Sequence, residues 1–282
     1  MIEGQSIQLG DGVSLEYGDG RYEPRVAEGP DREDAFRRFL QTSWLVTGAA
    51  ATVVVGGAGE GTANSDQPYL PDGRHLHLMG PTFRRIARAL ERDLEEEDWE
   101  TAIHLRLALS YIDRMRDESD PIVASLLAYQ AASALLLRDD SEIPHLADRA
   151  AFLAGIAKSD RASILNFAAA LIRFVDAIQR GRLPDLSTRS RLLGRKVSRD
   201  HIDLVSSWTG EAARKVIQLR ASEMFRRMLL AFITLSLSAE EGRPVVLVAT
   251  RRKIIESLEK AKKGDAEAKS GLEANAVALF GE

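Results

Sequence analysis

The chain has 282 residues, 45% of them hydrophobic and 28% charged, a composition that fits one large or two smaller globular units and excludes a disordered or fibrous chain. It contains no cysteine, which excludes a disulfide framework, a thiolate metal site and a cysteine nucleophile. The net charge of −4 is unevenly spread: residues 1–150 hold 15 Lys and Arg against 27 Asp and Glu, whereas residues 151–282 hold 23 against 15.

A chain with one acidic and one basic half is suited to self-association, or to presenting its basic half to a polyanion. The opening residues, MIEGQSIQLGDG, have neither a basic n-region nor an apolar h-region, so no secretory signal is expected. The expected location is the cytoplasm or the inside of a viral particle. The longest apolar stretch of the helical part, MLLAFITL at 228–235, is far short of the roughly 20 residues that span a bilayer, so no membrane partner is expected.

Residues 1–30 read as an N-terminal arm or short β-hairpin. Val13, Leu15 and Tyr17 alternate with polar residues, and Asp-Gly pairs at 11–12 and 19–20 supply turn chemistry. Residues 31–48 read as a helix on Ala35, Phe36, Phe39, Leu40 and Trp44, ended by Gly48. Residues 48–80 read as a long loop, with a short strand at Val53–Val55. From Pro81 the pattern is helical. Phe83, Ile86, Leu90 and Leu94 form one stripe, and Asp120 and Pro121 cap and open a helix that is apolar nearly all round, the mark of a central buried helix. A helix capped by Ser159 or Asp160 closes at Gly181, and a long one follows from Gly210 until it is stopped near Gly242. Val245–Thr250 reads as a short strand or as part of a last helical segment whose apolar face is Ile254, Ile255 and Leu258. Residues 265–282 read as a C-terminal arm, because Leu272, Val277, Leu279 and Phe280 follow a polar spacer. That arm either folds back on its own domain or docks in a neighbouring subunit.

Most chemistry-bearing patterns fail on their own terms. GGAGEGT at 56–62 has the glycine spacing of a P-loop, but Thr62 stands where the phosphate-binding lysine belongs and no helix is expected after it. His75 and His77 share one side of any strand, yet His104, His145 and His201 are scattered and complete no ligand set. The carboxylates of LEEEDWE, 94–100, sit where one helix ends and the next begins, a solvated acidic stretch favoured at a helix N-terminus. No nucleophile elbow and no zinc-protease motif is present, so neither an enzyme nor a cofactor is expected. An enzyme with the 48–80 loop as a lid is the least favoured class.

The strongest local signal is basic. Residues 180–201 carry Arg180, Arg182, Arg189, Arg191, Arg195, Lys196 and Arg199 against only Asp185 and Asp200. Thirty arginines against eight lysines in the whole chain make the choice of arginine uninformative; the local excess of charge is the informative part. Pro184 and Gly194 break the segment, so its arginines do not form one face of a single helix. Arg214 and Lys215 continue the basic content, Arg220, Arg226 and Arg227 extend it, and Arg251, Arg252 and Lys253 add a third cluster. Trp208 is placed either to stack a base or to anchor a core.

The expected architecture is mostly α: a two-lobed helical bundle with an N-terminal arm at 1–30, a helical lobe at 31–180, a basic connector at 181–197, a second lobe at 198–264 and a C-terminal arm at 265–282. The expected function is a non-catalytic, nucleic-acid-binding, self-assembling protein of nucleocapsid or coat type, with RNA favoured over DNA. Arg180, Arg182, Arg189, Arg191, Arg195, Lys196, Arg199, Arg214 and Lys215 would meet phosphates, and the arms would link copies. In architecture alone this layout resembles helical viral nucleoproteins. The alternative is a helical scaffold or adaptor whose acidic and basic halves pair between copies without nucleic acid.

Overall fold

The computed structural model describes residues 6–10, 13–18, 21–26, 37–38, 41–42, 44–46, 53–55, 61–63, 85–86, 89–90, 98–182, 184–193, 211–238 and 246–280. The chain is mostly helical and divides into two compact units, one of residues 1–93 with 237–247, the other of residues 94–236 with 248–282.

The first unit opens with an antiparallel meander of β1 (Ser6–Gly10), β2 (Val13–Gly18) and β3 (Arg21–Val26). The expected hairpin is there, extended by a third strand. Gly10 pairs with Val13 and Gly18 with Arg21; the Asp-Gly pairs at 11–12 and 19–20 lie outside the described residues. Pro24 lies on β3, an edge strand, where its missing N–H costs no ladder bond on the open side. The expected strand at Val53–Val55 forms as β4 and pairs with β5 (Gly61–Ala63), Val55 opposite Gly61. Gly61 and Thr62 are therefore strand residues, and the helix that would orient a phosphate in a P-loop does not start there. The described residues between 37 and 46 and between 85 and 90 are helical, and they bury Leu45, Trp44, Ile86 and Ala89. A last two-stranded pair joins β6 (Leu237–Ser238) to β7 (Val246–Leu247).

The second unit is a helical bundle. Its elements are α1 (Trp99–Asp117), α2 (Pro121–Leu136), α3 (Ile143–Ala154), α4 (Lys158–Gln179), α5 (Leu186–Leu193), α6 (Glu211–Ser236), α7 (Arg251–Lys262) and α8 (Ala266–Phe280). Asp98 caps α1 by accepting the Glu100 and Thr101 N–H groups, and Asp120 caps α2 by accepting the Ile122 N–H at 2.7 Å. Pro121 takes the first helical position as expected. The cap expected at Ser159 or Asp160 falls instead at Ala157, and the helix starts at Lys158. Asp160 then lies in its first turn and accepts the Ile156 N–H at 3.0 Å, which stabilises the start from inside the helix. Gly181 has φ of +64°, the left-handed conformation that ends α4.

Helix α2 takes the central place, packed by α6, α1 and α3. Ala124, Ala128, Ala131, Leu135 and Leu136 are fully buried. Helix α6 adds Phe225, Met228, Leu229, Phe232 and Ile233 to the same unit. Helices from both sides of residues 181–197 therefore build one core. The segment expected as a C-terminal arm is helix α8, seated on α7, α3 and α6 with Leu272 and Ala276 buried. Helix α4 is the one described helix long and apolar enough to cross a membrane by length and composition. In this fold its Phe167, Leu171, Phe174 and Val175 are buried in the bundle.

The C-terminus of α2 is buried, and two arginines complete it. Arg251, at the start of α7, donates Nε to the Ala134 and Leu135 carbonyls at 3.1 and 3.2 Å and Nη2 to the Leu137 carbonyl, while Nη1 meets Glu100 at 2.7 Å. Arg149 of α3 donates to the Leu136 carbonyl and pairs with Glu142 and Glu259 at 2.8 and 2.6 Å. Both arginines are only 2% exposed. Thr101 ties the same corner to α1: its hydroxyl donates to Asp98 at 2.6 Å and accepts the Arg251 N–H at 2.8 Å.

Replacing Arg251 with Ala strands three buried carbonyls. The expected loss is about 3 kcal/mol in urea unfolding, against under about 1 kcal/mol for Glu100→Gln, whose half-exposed carboxylate water can replace. The Arg149 hydrogen bond, helped by the Arg138 backbone N–H and both arginine charges, lowers the Glu142 carboxyl from 4.5 to about 2. A depressed carboxylate adds stability that is complete above pH 4.5 and is lost as pH falls toward 2. Glu142→Gln is expected to be less stable than the parent at pH 7 and to lose less stability on acidification through that window, as read by circular dichroism melts.

Candidate nucleic-acid interface

The basic segment is built on helix ends. Helix α4 closes at Gln179, and Arg180 follows as its cap, with its guanidinium on Asp176 at 2.8 Å and both groups largely exposed. The Arg182 N–H returns to the Ala177 carbonyl at 2.8 Å, which closes the turn and leaves the Arg182 side chain exposed. Asp185 then starts α5. It accepts the Thr188 N–H at 2.8 Å and the Thr188 hydroxyl at 3.1 Å. The Thr188 N–H holds its carboxyl below the usual range, and the Thr188 hydroxyl, the Ser187 N–H and the Arg173 charge act the same way. Thr188 and Leu192, one turn apart, are buried and seat α5 on the bundle.

The sequence-selected cations among the described residues have these places. Arg189 donates Nε to the Pro184 carbonyl at 2.6 Å, so it braces its own turn. Arg191 is exposed on α5. Lys215 is exposed on α6, while Arg214 is half-buried, and its Nε is buried without a hydrogen-bond partner. Arg195, Lys196 and Arg199, like Trp208, His75 and His77, lie outside the described residues. Among the described residues, the side chains of Arg182 and Arg191 have no hydrogen-bond or ion-pair partner.

Helices α4 and α6 bring these groups together. Arg227 meets Asp160 at 3.3 Å, and the Arg220 guanidinium lies 4.5 Å over the Phe167 ring. Both contacts advance along α4 while retreating along α6, so the two helices run antiparallel. Arg173, whose charge acts on Asp185, and Arg180, Arg182, Arg189, Arg191 and Arg220 gather around α5 and the end of α4, with Asp176 and Asp185 as close acidic neighbours. Arg214 and Lys215 lie earlier on α6.

Arg220 is the keystone of that end. It donates to the Arg191 carbonyl at 2.8 Å and to the Leu192 carbonyl, completing the C-terminus of α5 while stacked on Phe167 of α4. Burial lowers its pKa without a carboxylate to compensate. Sequence reading grouped Arg220 with the basic surplus; its position over Phe167 makes it a structural tie. Arg173 was not selected from the sequence, because it stands alone in an otherwise apolar helical stretch.

Two other basic groups are absorbed by the fold. Arg226 and Arg227 fork onto Glu223 at 2.7 and 2.9 Å, and Arg227 also lies over the Phe280 ring. The expected third cluster does not form a surface, since Arg251 is the buried cap of α2 and only Arg252 and Lys253 are exposed. Among the described residues, no group of three or more His, Asp or Glu is arranged to hold a metal ion. No family model, curated protein or solved structure matches this chain.

Arg220→Met is expected to lower stability by about 1–2 kcal/mol, through loss of the α5 carbonyl bonds and the ring contact. The Arg182→Ala, Arg191→Ala double variant is expected to change it by less than about 0.5 kcal/mol, as exposed cations without partners do. Denaturant midpoints of the two variants test the division between structural and free arginines.

Proposed function

We propose that this chain is a non-catalytic, nucleic-acid-binding and self-assembling protein of coat type, with single-stranded RNA as the favoured polyanion. The observation that carries the reading is the pair Arg182 and Arg191, exposed and unpartnered at an end of the bundle where cations outnumber carboxylates. Guanidinium groups bind phosphate oxygens through two parallel N–H donors, and helix-capped turns hold them at fixed height. Arg195, Lys196 and Arg199 add charge in the adjoining sequence. No aromatic side chain is exposed at this end among the described residues, which favours phosphate contact over base stacking.

Self-assembly is the second half of the reading, with residues 1–30 and 265–282 as the expected links. Exchange of the C-terminal segment would have to expose Leu272 and Ala276, which α8 buries on its own unit. In the N-terminal meander β1 and β3 are the outer strands, the places where a neighbour's strand would add.

The test is binding of a fluorescent single-stranded RNA across a salt series. Each phosphate contact contributes about 0.7 to the slope of log K against log salt. The Arg182→Ala, Arg191→Ala variant is expected to lower that slope by about 1.4 and to keep the parent's helical circular dichroism. An unchanged slope removes these two residues from the interface. A parent protein that binds no RNA even at low salt leaves the scaffold reading in its place.

A further inference from the structure

We propose that the groove between α7 and α8 binds a small linear carboxylate, a molecule with an aliphatic body and a single negative head. The groove shares no residue with the basic end of α4 and α5, and the proposal does not depend on nucleic-acid binding.

Where α7 and α8 meet the end of α6, the helical unit holds a cavity of about 460 Å³, inside the range of roughly 300–1,000 Å³ usual for small-molecule sites. Its apolar lining is aliphatic, with Leu235 of α6, Ile254 of α7 and Leu272 of α8; among the described residues no aromatic ring lines it. Ile254 and Leu272 are buried and form its floor. Gly271 opens the groove. It lies inside α8, where glycine is less favourable than any residue but proline. Its φ is not positive, as those of Gly181 and Gly264 are, so the backbone does not require a glycine there. A Cβ at this position would have nothing within 4 Å, so close packing does not require one either. What the missing side chain leaves is room in the cavity that Gly271 lines.

Charge selects the ligand and its direction. Lys253 and Lys260 both line the groove, about two turns apart on α7. Among the described residues neither ammonium has a hydrogen-bond or ion-pair partner. Ser257 stands between them, its hydroxyl donated to the Lys253 carbonyl at 3.0 Å. The two carboxylates of the groove, Asp265 and Glu267, belong to the Lys260 end. The Asp265 N–H meets the Lys260 carbonyl at 3.0 Å, and the Asp265 carboxylate accepts the Ala268 N–H at 2.8 Å at the start of α8. They offset Lys260 and leave Lys253 as the unopposed cation. A carboxylate head at Lys253 with an aliphatic body over Ile254 and Leu272 matches both the charge and the floor. The same two acidic groups disfavour a phosphate monoester, whose charge of about −1.5 to −2 they repel more strongly than a single carboxylate.

The test is isothermal titration calorimetry on the full chain, freed of nucleic acid by nuclease and a high-salt wash. Octanoate is the probe, with 1-octanol and octylamine as its neutral and cationic counterparts. Octanoate is expected to bind at a single site, with octanol weaker by about tenfold and octylamine giving no binding heat. Lys253→Ala, at an exposed position, is expected to raise the octanoate dissociation constant about tenfold and to keep the parent's helical circular dichroism. Gly271→Leu places a side chain in the groove where a Cβ meets nothing, and is expected to abolish binding while keeping or raising the thermal midpoint. A parent that takes up no octanoate, or takes up octanol equally well, overturns the proposal. So does a folded Gly271→Leu protein, or a Lys253→Ala protein, that binds octanoate like the parent. RNA binding by Gly271→Leu at the parent's salt slope separates the fate of this site from that of the basic interface.

Discussion

The bundle depends on how the C-terminus of α2 is completed. The last carbonyls of any helix lack intrahelical donors, and at the centre of a core no water supplies them. Here each one has an assigned partner. Ser133 accepts the Leu137 N–H, Ala134 and Leu135 accept Arg251, Leu136 accepts Arg149, and the following Leu137 carbonyl accepts Arg251 again. The two cations also sit at the negative end of the helix dipole, and the carboxylates of Glu100, Glu142 and Glu259 balance their charge. One corner thereby fastens α1, α3 and α7 to α2. His104 shares it: burial, reinforced by the Arg251 charge, lowers its pKa and favours the neutral ring.

The same chemistry recurs on a smaller scale wherever helices meet. Arg220 completes α5 and stacks on Phe167; Arg161 donates to the Gly155 carbonyl and pairs with Glu273 of α8; Arg227 reaches Asp160, Glu223 and the Phe280 ring. In each case a planar fork with several donors does what a lysine could not, meeting two or more of a carbonyl, a carboxylate and a ring face together. A chain rich in arginine thus uses many of them as internal fasteners. The cations left for a ligand are those at turns and on outer helix faces, which is why Arg182 and Arg191 stand out against better-connected neighbours.

Among the described residues, some side chains take no part in these joints. Arg182 and Arg191 lie exposed beside α4 and on α5, and Trp99, Ile103 and Leu107 lie exposed along α1.

Much of this was legible in the sequence because it is local. The Asp120-Pro121 start of α2, the closing Gly181, the pairing of β1 with β2 and the Val53–Val55 strand are all decided by residues a few positions apart. So was the all-round apolar character that makes α2 central. The cap of α4 was misplaced by two or three residues because an aspartate stabilises a helix from its first turn as well as from its cap. What local pattern cannot show is which helices share a core and which charges meet. Arg251 and Arg252 are adjacent in sequence, yet one is buried against carbonyls more than a hundred residues earlier and the other is exposed. Sequence alone determined where the helices lie and how much positive charge the 180–201 segment carries. Tertiary structure decided which of those charges are free, because an arginine's role depends on whether a helix end or a carboxylate from a distant element comes within reach of its guanidinium group.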